Sequence, residues 1–200
     1  MANTIISVKL WADSHGTDYH HLPAILLSLF RGTNFSRFSA PEIDALGGRK
    51  ITPNIVGKII GDMNLRSGSG QPQVHVVFLG SNNIRRGSNP QEIIPLLRRI
   101  ADHAIKMCHT HVVFCAALPG IENDHILKSK FMTLNSMIKQ LSKEFRSKCS
   151  FLNLAKRFTS FGQVKVELYD DGIHLNHEGA QLLAKVIGGH LQRLPSHLFM

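Results

Sequence analysis

An α/β fold, with a parallel sheet covered on both faces by helices, is predicted by three features of this 200-residue sequence. Short β-rich apolar runs alternate with longer segments of helical period, the pattern of repeated β-α units. Two of the runs, 74–80 (VHVVFLG) and 111–118 (HVVFCAAL), are apolar on both faces, as central strands of a covered sheet must be. An apolar fraction of 43% and a charged fraction of 18% belong to a globular chain that can bury a substantial core. One domain over 1–200 is expected.

In chain order, 4–11 (TIISVKLW) reads as the first strand, followed by a helix over 17–31 with Leu22, Ile25, Leu26, Leu29 and Phe30 at helical spacing. A weaker strand candidate lies at 34–39 (NFSRFS), and 66–73 (RSGSGQPQ) reads as a flexible connection. After the strand at 74–80, a helix over 90–107 follows Ser88-Asn89-Pro90, a capping residue before a proline suited to a first turn. Its stripe is Ile93, Leu96, Leu97, Ile100 and Ala104. The strand at 111–118 leads to a helix over 126–147, with Phe131, Leu134, Met137, Ile138, Leu141 and Phe145 on one side and lysines on the other. A strand at 149–154 (CSFLNL) comes next. The last helix starts at Asn176 or His177 and buries Ala180, Leu183, Ala184 and Ile187.

Composition narrows the function classes. No apolar run approaches the roughly 18 residues of a membrane-crossing helix, and MANTIISVKLWADS lacks the basic start and cleavage site of a secretory signal. The chain enters regular structure almost at once, as a domain cut from a longer protein would. Cys108, Cys115 and Cys149 are an odd count without a C-x-x-C pair, which favours free thiols in a reducing, intracellular (cytoplasmic) compartment. The excess of 23 Lys+Arg over 14 Asp+Glu gives +9. That charge fits RNA, DNA or an anionic lipid surface, and equally a solvated face with no partner.

Three short motifs carry chemistry. Ala12-Asp13-Ser14-His15-Gly16 follows the first strand, so Ser14 sits where open α/β sheets hold their ligands, near a helix N-terminus that favours a developing oxyanion. Gly80-Ser81-Asn82-Asn83 follows the strand at 74–80, where a carboxamide can point its NH₂ donor into the same cleft. Asp171-Gly172-Ile173-His174 precedes the last helix; an Asp three residues before a His can orient the imidazole, which then faces a serine as general base. Each motif alone is an ordinary cap or turn. Their order, Ser, then Asn, then Asp-x-x-His, is much more specific.

With these motifs the chain resembles the SGNH (GDSL-like) hydrolases over nearly its whole length. Ala12-Asp13-Ser14 matches the family's Gly-Asp-Ser block, Gly80 to Asn83 its Gly-x-Asn-Asp block, and Asp171 to His174 its Asp-x-x-His block. The block-two glycine is best matched by Gly48 in Leu46-Gly47-Gly48-Arg49. The resemblance implies a three-layer α/β/α, flavodoxin-like fold with a central five-stranded parallel sheet. It also implies a catalytic triad of Ser14, Asp171 and His174, and an oxyanion hole from the Ser14 and Gly48 N–H groups and the Asn82 side chain. The implied reaction is hydrolysis of a small ester or lipid through an acyl-enzyme, with no cofactor. Ala12 departs from the family glycine, and Asn83 from an aspartate that supports the loop. Compact size, basic charge and Asp-Ser-His-Gly are most similar to the esterase domain of first-open-reading-frame proteins in certain non-LTR retrotransposons. The family also includes the OSK domain of Oskar, which binds RNA and has lost its triad. A basic RNA- or lipid-binding module on the same fold is therefore the competing expectation.

Other residues invite weaker readings. His109-x-His111 could place two imidazoles on one side of a strand and His20-His21 follows the serine motif, but no Cys or acidic partner has zinc-site spacing, so no metal is expected. Arg85 and Arg86 could border the cleft and meet an anionic headgroup. Lys139, Lys143 and Arg146 make one charged helix face, without the interleaved aromatics of an RNA motif.

Overall fold

A computed structural model describes residues 5–13, 22–31, 35–118, 120–121 and 124–199. Its centre is a five-stranded, wholly parallel sheet in the order β2-β1-β3-β4-β5, formed by β1 (Ser7–Ala12), β2 (Glu42–Ala45), β3 (Gln73–Phe78), β4 (Thr110–Cys115) and β5 (Cys149–Leu152). This is the flavodoxin-like order, reversing direction beside β1. The helices are α1 (Leu22–Phe30), α2 (Pro53–Ser67), α3 (Ser81–Arg85), α4 (Pro90–Ala104), α5 (His125–Glu144), α6 (Ala155–Phe158) and α7 (His177–Gln192). A two-residue antiparallel pair, β6 (Thr159–Ser160) with β7 (Gln163–Val164), follows α6.

Period-two alternation divides the core into two layers. Val8, Leu10 and Ala12 of β1, Val76 and Phe78 of β3, and Val113 and Cys115 of β4 pack against α1 and α7. Trp11, Val77, Val112 and Phe114 point the other way, onto α2, α4 and α5. The five-stranded α/β/α expectation holds.

Several boundaries differ from the sequence reading. The second strand is Glu42–Ala45, not 34–39. Phe35 and Phe38 instead form a turn closed by Phe38 N–H to the Phe35 carbonyl at 2.8 Å, and only Phe38 bridges to Ile6. Both rings pack on Phe30, with centroids 4.5 and 6.3 Å away, so their i,i+3 spacing served a turn. Helix α2 occupies a stretch without an assigned helix, and its last residues, Arg66 and Ser67, belong to the supposed flexible connection. Thr52 caps α2 at the Ile55 N–H, with Pro53 in the first turn. Residues 17–21 of the first predicted helix lie outside the described residues. No helix among the described residues is long and apolar enough to cross a membrane.

The His109-x-His111 pair is also corrected. His109 lies before β4 in left-handed backbone, φ 53°, with Nδ1 at the Phe199 carbonyl, 3.1 Å. His111 is buried within β4 and bonds Ser150 Oγ at 3.0 Å. The rings have separate partners.

Candidate active site

Parallel register brings three strand exits to one edge. Ala12 pairs with both Ala45 and Phe78, so β1, β2 and β3 end at one level. Asp13 continues from β1 fully buried; Ser14, His15 and Gly16 lie outside the described residues.

The loop after β2 and the start of α3 are tied together. Gly80 begins α3 with φ 117°, a conformation that favours glycine and turns the chain sharply out of β3. Asn82 Nδ2 then donates to the Arg49 carbonyl at 3.2 Å. A carboxamide has a second N–H, so this bond orients Asn82 without exhausting its donors. Asn83 pairs with both backbone groups of Ile51: Oδ1 accepts from N–H at 2.8 Å and Nδ2 donates to the carbonyl at 3.0 Å. Arg49 bonds Asp44 through its carboxylate, 2.6 Å, and its carbonyl, 2.8 Å, closing the loop from the β2 side. Gly48, φ 70°, is thus held beside Asn82; the Arg86 guanidinium lies 3.0 Å from where a Gly48 Cβ would be.

Asp171 and His174 form the second group. Asp171 Oδ1 accepts the backbone N–H groups of Ile173 (3.0 Å) and His174 (2.7 Å), while Oδ2 lies 2.6 Å from His174 Nδ1. The His174 N–H, and then its side chain and the Ile173 N–H, hold the Asp171 carboxyl far below the usual carboxylate range despite some opposing desolvation. Asp171 is therefore ionised, and the imidazole Nδ1–H donates to it.

The loop carrying this pair is pinned at its base. Tyr169 and Leu175 form an antiparallel bridge. Asn176 caps α7 by accepting the Gly179 N–H at 2.9 Å and donates through Nδ2 to the Glu167 carbonyl at 2.8 Å. Gly179 allows the closure, because a Cβ there would stand 2.3 Å from the Leu168 carbonyl oxygen. The loop tip meets the β4 exit: Ile121 N–H donates to the Gly172 carbonyl at 2.6 Å. Arg85 of α3 interacts both with α5 and with the base of this loop. Arg85 stacks over Phe131, 5.2 Å from the ring centre, and its charge partly offsets the rise that burial causes in the Tyr169 phenol pKa. Arg85 is thus half-buried beneath the surface expected to be a cleft rim, whereas Arg86 is exposed.

The described geometry accordingly joins Gly48, Asn82 and Arg86 in one group and Asp171 with His174 in another. Sequence reasoning missed Arg49 and Asn135. Asn135 clamps both backbone groups of Ala117 after β4, at 2.8 and 3.0 Å. Asn135 meets Ala117 across 18 residues, and the Arg49 carbonyl meets Asn82 across 33, so neither contact has a local signal. No group of three or more His, Cys, Asp or Glu side chains suited to a metal ion occurs among the described residues.

This arrangement has known relatives. The model of the GDSL-like lipase/acylhydrolase family matches residues 11–182. The chain belongs to that family. Among solved structures, a GDSL-like lipase from Bacteroides thetaiotaomicron is 13% identical, aligning 94% of this chain with 89% of that one at a TM-score of 0.71. A member of the lipolytic G-D-S-L family from Veillonella parvula is 13% identical, over 94% and 100% of the two chains, at a TM-score of 0.66. A catalytic mutant of an acetylxylan esterase from Geobacillus stearothermophilus is 11% identical, over 90% and 91%, at 0.64. At these identities the likeness concerns the fold. No curated protein matches the chain in sequence. The match thus runs from the end of β1 into the first turns of α7, including the loops that carry Gly48, Asn82, Asp171 and His174.

Proposed function

We propose that this GDSL-like hydrolase, acting as a single domain, cleaves carboxylic esters with Ser14 as nucleophile, His174 as general base and Asp171 as its orienting carboxylate. The observation that carries this reading is the 2.6 Å bond between Asp171 and His174 Nδ1, on a loop fixed at its base. With Nδ1–H committed to an ionised carboxylate, proton transfer falls to Nε2. Ser14 Oγ attacks the ester carbonyl as its proton passes to Nε2. The oxyanion receives the Ser14 and Gly48 N–H groups and the second N–H of Asn82. Collapse expels the alcohol, which takes the proton from His174. Water, deprotonated by the same nitrogen, then releases the acid from the acyl-enzyme. No cofactor takes part. A short acyl group is the proposed substrate preference, with exposed Arg86 and half-buried Arg85 favouring an anionic ester. Size, charge and the Asp-Ser-His-Gly segment favour a relationship to the esterase domains of non-LTR retrotransposon first-open-reading-frame proteins.

The test is kinetic. Ser14→Ala should abolish turnover of a short-chain activated ester, and His174→Ala should come close to the same loss, because members of such a unit are strongly non-additive. A folded Ser14→Ala protein with full activity would overturn the assignment.

A second reading, a basic binding module, has one observation in its favour: Lys139, Lys143 and Arg146 are all exposed on or just beyond α5. If that face holds RNA or an anionic membrane, binding falls steeply with salt. Exchange of the three for glutamate would weaken it and leave ester hydrolysis intact. Binding unchanged by that exchange would contradict this reading.

A further inference from the structure

Away from these loops, one flank of α7 meets the end of β5 and the short helix α6 at a concavity of about 370 Å³. Arg157 of α6, Lys185 of α7 and Arg193 just beyond it line this space, with Asn153 between β5 and α6. All three cations are exposed, no carboxylate lines the concavity, and none of the three forms an ion pair among the described residues. Lys9 and Arg66 share Glu42, Arg49 holds Asp44, and Arg98 holds Glu144.

Three like charges around one hollow repel one another unless an anion screens them. Residue 189, on the wall, is a glycine, and the Arg193 guanidinium folds back to 3.4 Å from where its Cβ would be. The Arg193 charge also reaches inward, adding to the burial that lowers the His190 pKa to about 4. Two guanidinium groups, an ammonium and a carboxamide present more N–H donors than a carboxylate's two oxygens can use. A phosphate group, with several terminal oxygens and up to two charges, suits the set better.

We propose that the concavity formed by Asn153, Arg157, Lys185 and Arg193 is a phosphate-binding site, separate from the hydrolytic loops. The phosphate can come free from solution or on an apolar-tailed molecule. Lys185 also borders a groove of about 490 Å³ between α1 and α7, with Ala24, Ile25, Leu29 and Ala184 on its walls, where a tail would lie.

Calorimetric titration of the whole chain with inorganic phosphate and with n-octyl phosphate below its micellar concentration tests this. Saturable binding is expected, weakened about tenfold or more in Arg157→Gln/Arg193→Gln and in the same direction in Lys185→Gln, since each loses a charge-assisted donor. Lys139→Gln/Lys143→Gln, which removes as many charges elsewhere, should leave it nearly unchanged. Ser14→Ala should bind as the parent does, which keeps this result independent of the hydrolytic assignment. Tighter binding of octyl phosphate identifies the tailed source; equal affinity identifies the free one. Absence of saturable binding to both probes, or equal weakening by the α5 and α7 variants, would overturn the proposal.

Discussion

Asn82 and Asn83 are neighbours with different partners, and their contributions should separate. Asn82 uses one donor on Arg49, while Asn83 satisfies both backbone groups of the buried Ile51. In the proposed mechanism Asn82→Ala removes a transition-state donor and should lower kcat about 10²- to 10³-fold, with a smaller change in KM. Asn83→Ala strands a buried peptide group and should lower stability by about 1–3 kcal/mol, seen as a fall in Tm, with a smaller loss of kcat in the folded fraction. A larger kcat loss at Asn83 than at Asn82 would shift the motif register by one residue. At this scale the Asp171–His174 pair was legible because both partners lie within four residues. The Asn82–Arg49 and Asn135–Ala117 contacts were not, because folding alone brings those residues together.

Among elements, the base of the Asp171–His174 loop is the sensitive point. Gly179 and Gly188 both lie buried on α7, but against different neighbours. A Cβ at 179 meets the Leu168 backbone carbonyl at 2.3 Å, whereas one at 188 meets the Leu29 and Phe35 side chains at 2.7 and 2.9 Å. Overpacking costs about 1–3 kcal/mol, so either alanine variant should lower Tm by several degrees. Only Gly179→Ala should also reduce kcat of the folded fraction, because it pushes the end of the hairpin that carries His174. Equal kcat losses in the two variants would argue against a pinned loop. Central strands were readable from their two-sided apolar runs. Edge strand β2, Glu-Ile-Asp-Ala, was not, since half-exposure lets it carry two carboxylates. Helix α2 did carry a readable start in Thr52-Pro53, the same cap-and-proline signal recognised at Asn89-Pro90.

For the whole molecule, buried histidines set a limit at acid pH. Trp11 Nε1–H donates to His75 Nδ1 at 3.2 Å, and His75 Nε2–H donates to Gln73 Oε1 at 2.8 Å, so the ring is neutral with a fixed tautomer. Burial lowers its pKa from 6.5 to about 4; Asp62 opposes this, Arg66 and Lys9 assist it, and Glu42 opposes it. His111 and His190, on either side of Ser150 Oγ at 3.0 and 2.9 Å, are held near 4 as well, mainly by burial. Between pH 6.5 and about 4 the unfolded chain binds more protons than the folded one, so stability falls as pH falls through that window. For His75 alone the loss approaches about 3 kcal/mol at the acid end. Urea unfolding followed by Trp11, the sole tryptophan, should have a lower midpoint at pH 5 than at pH 7. His75→Gln should flatten that dependence; an unchanged midpoint between the two pH values would contradict it. The layering, a parallel sheet with helices on both faces, followed from the β-α alternation, and its five-stranded flavodoxin-like form from the family resemblance. The gathering of Arg157 with Lys185 and Arg193 did not, since Arg157 of α6 meets the other two only through the packing of α7.

For the molecule as a catalyst, the most direct measurement is covalent labelling with a fluorophosphonate serine probe, followed by mass mapping of the adduct. One adduct is predicted, on the peptide containing Ser14. It should be lost in Ser14→Ala and form much more slowly in His174→Ala, where the base is gone. A folded protein left unlabelled, or labelled on another serine with the Ser14→Ala rate unchanged, would contradict the proposed triad.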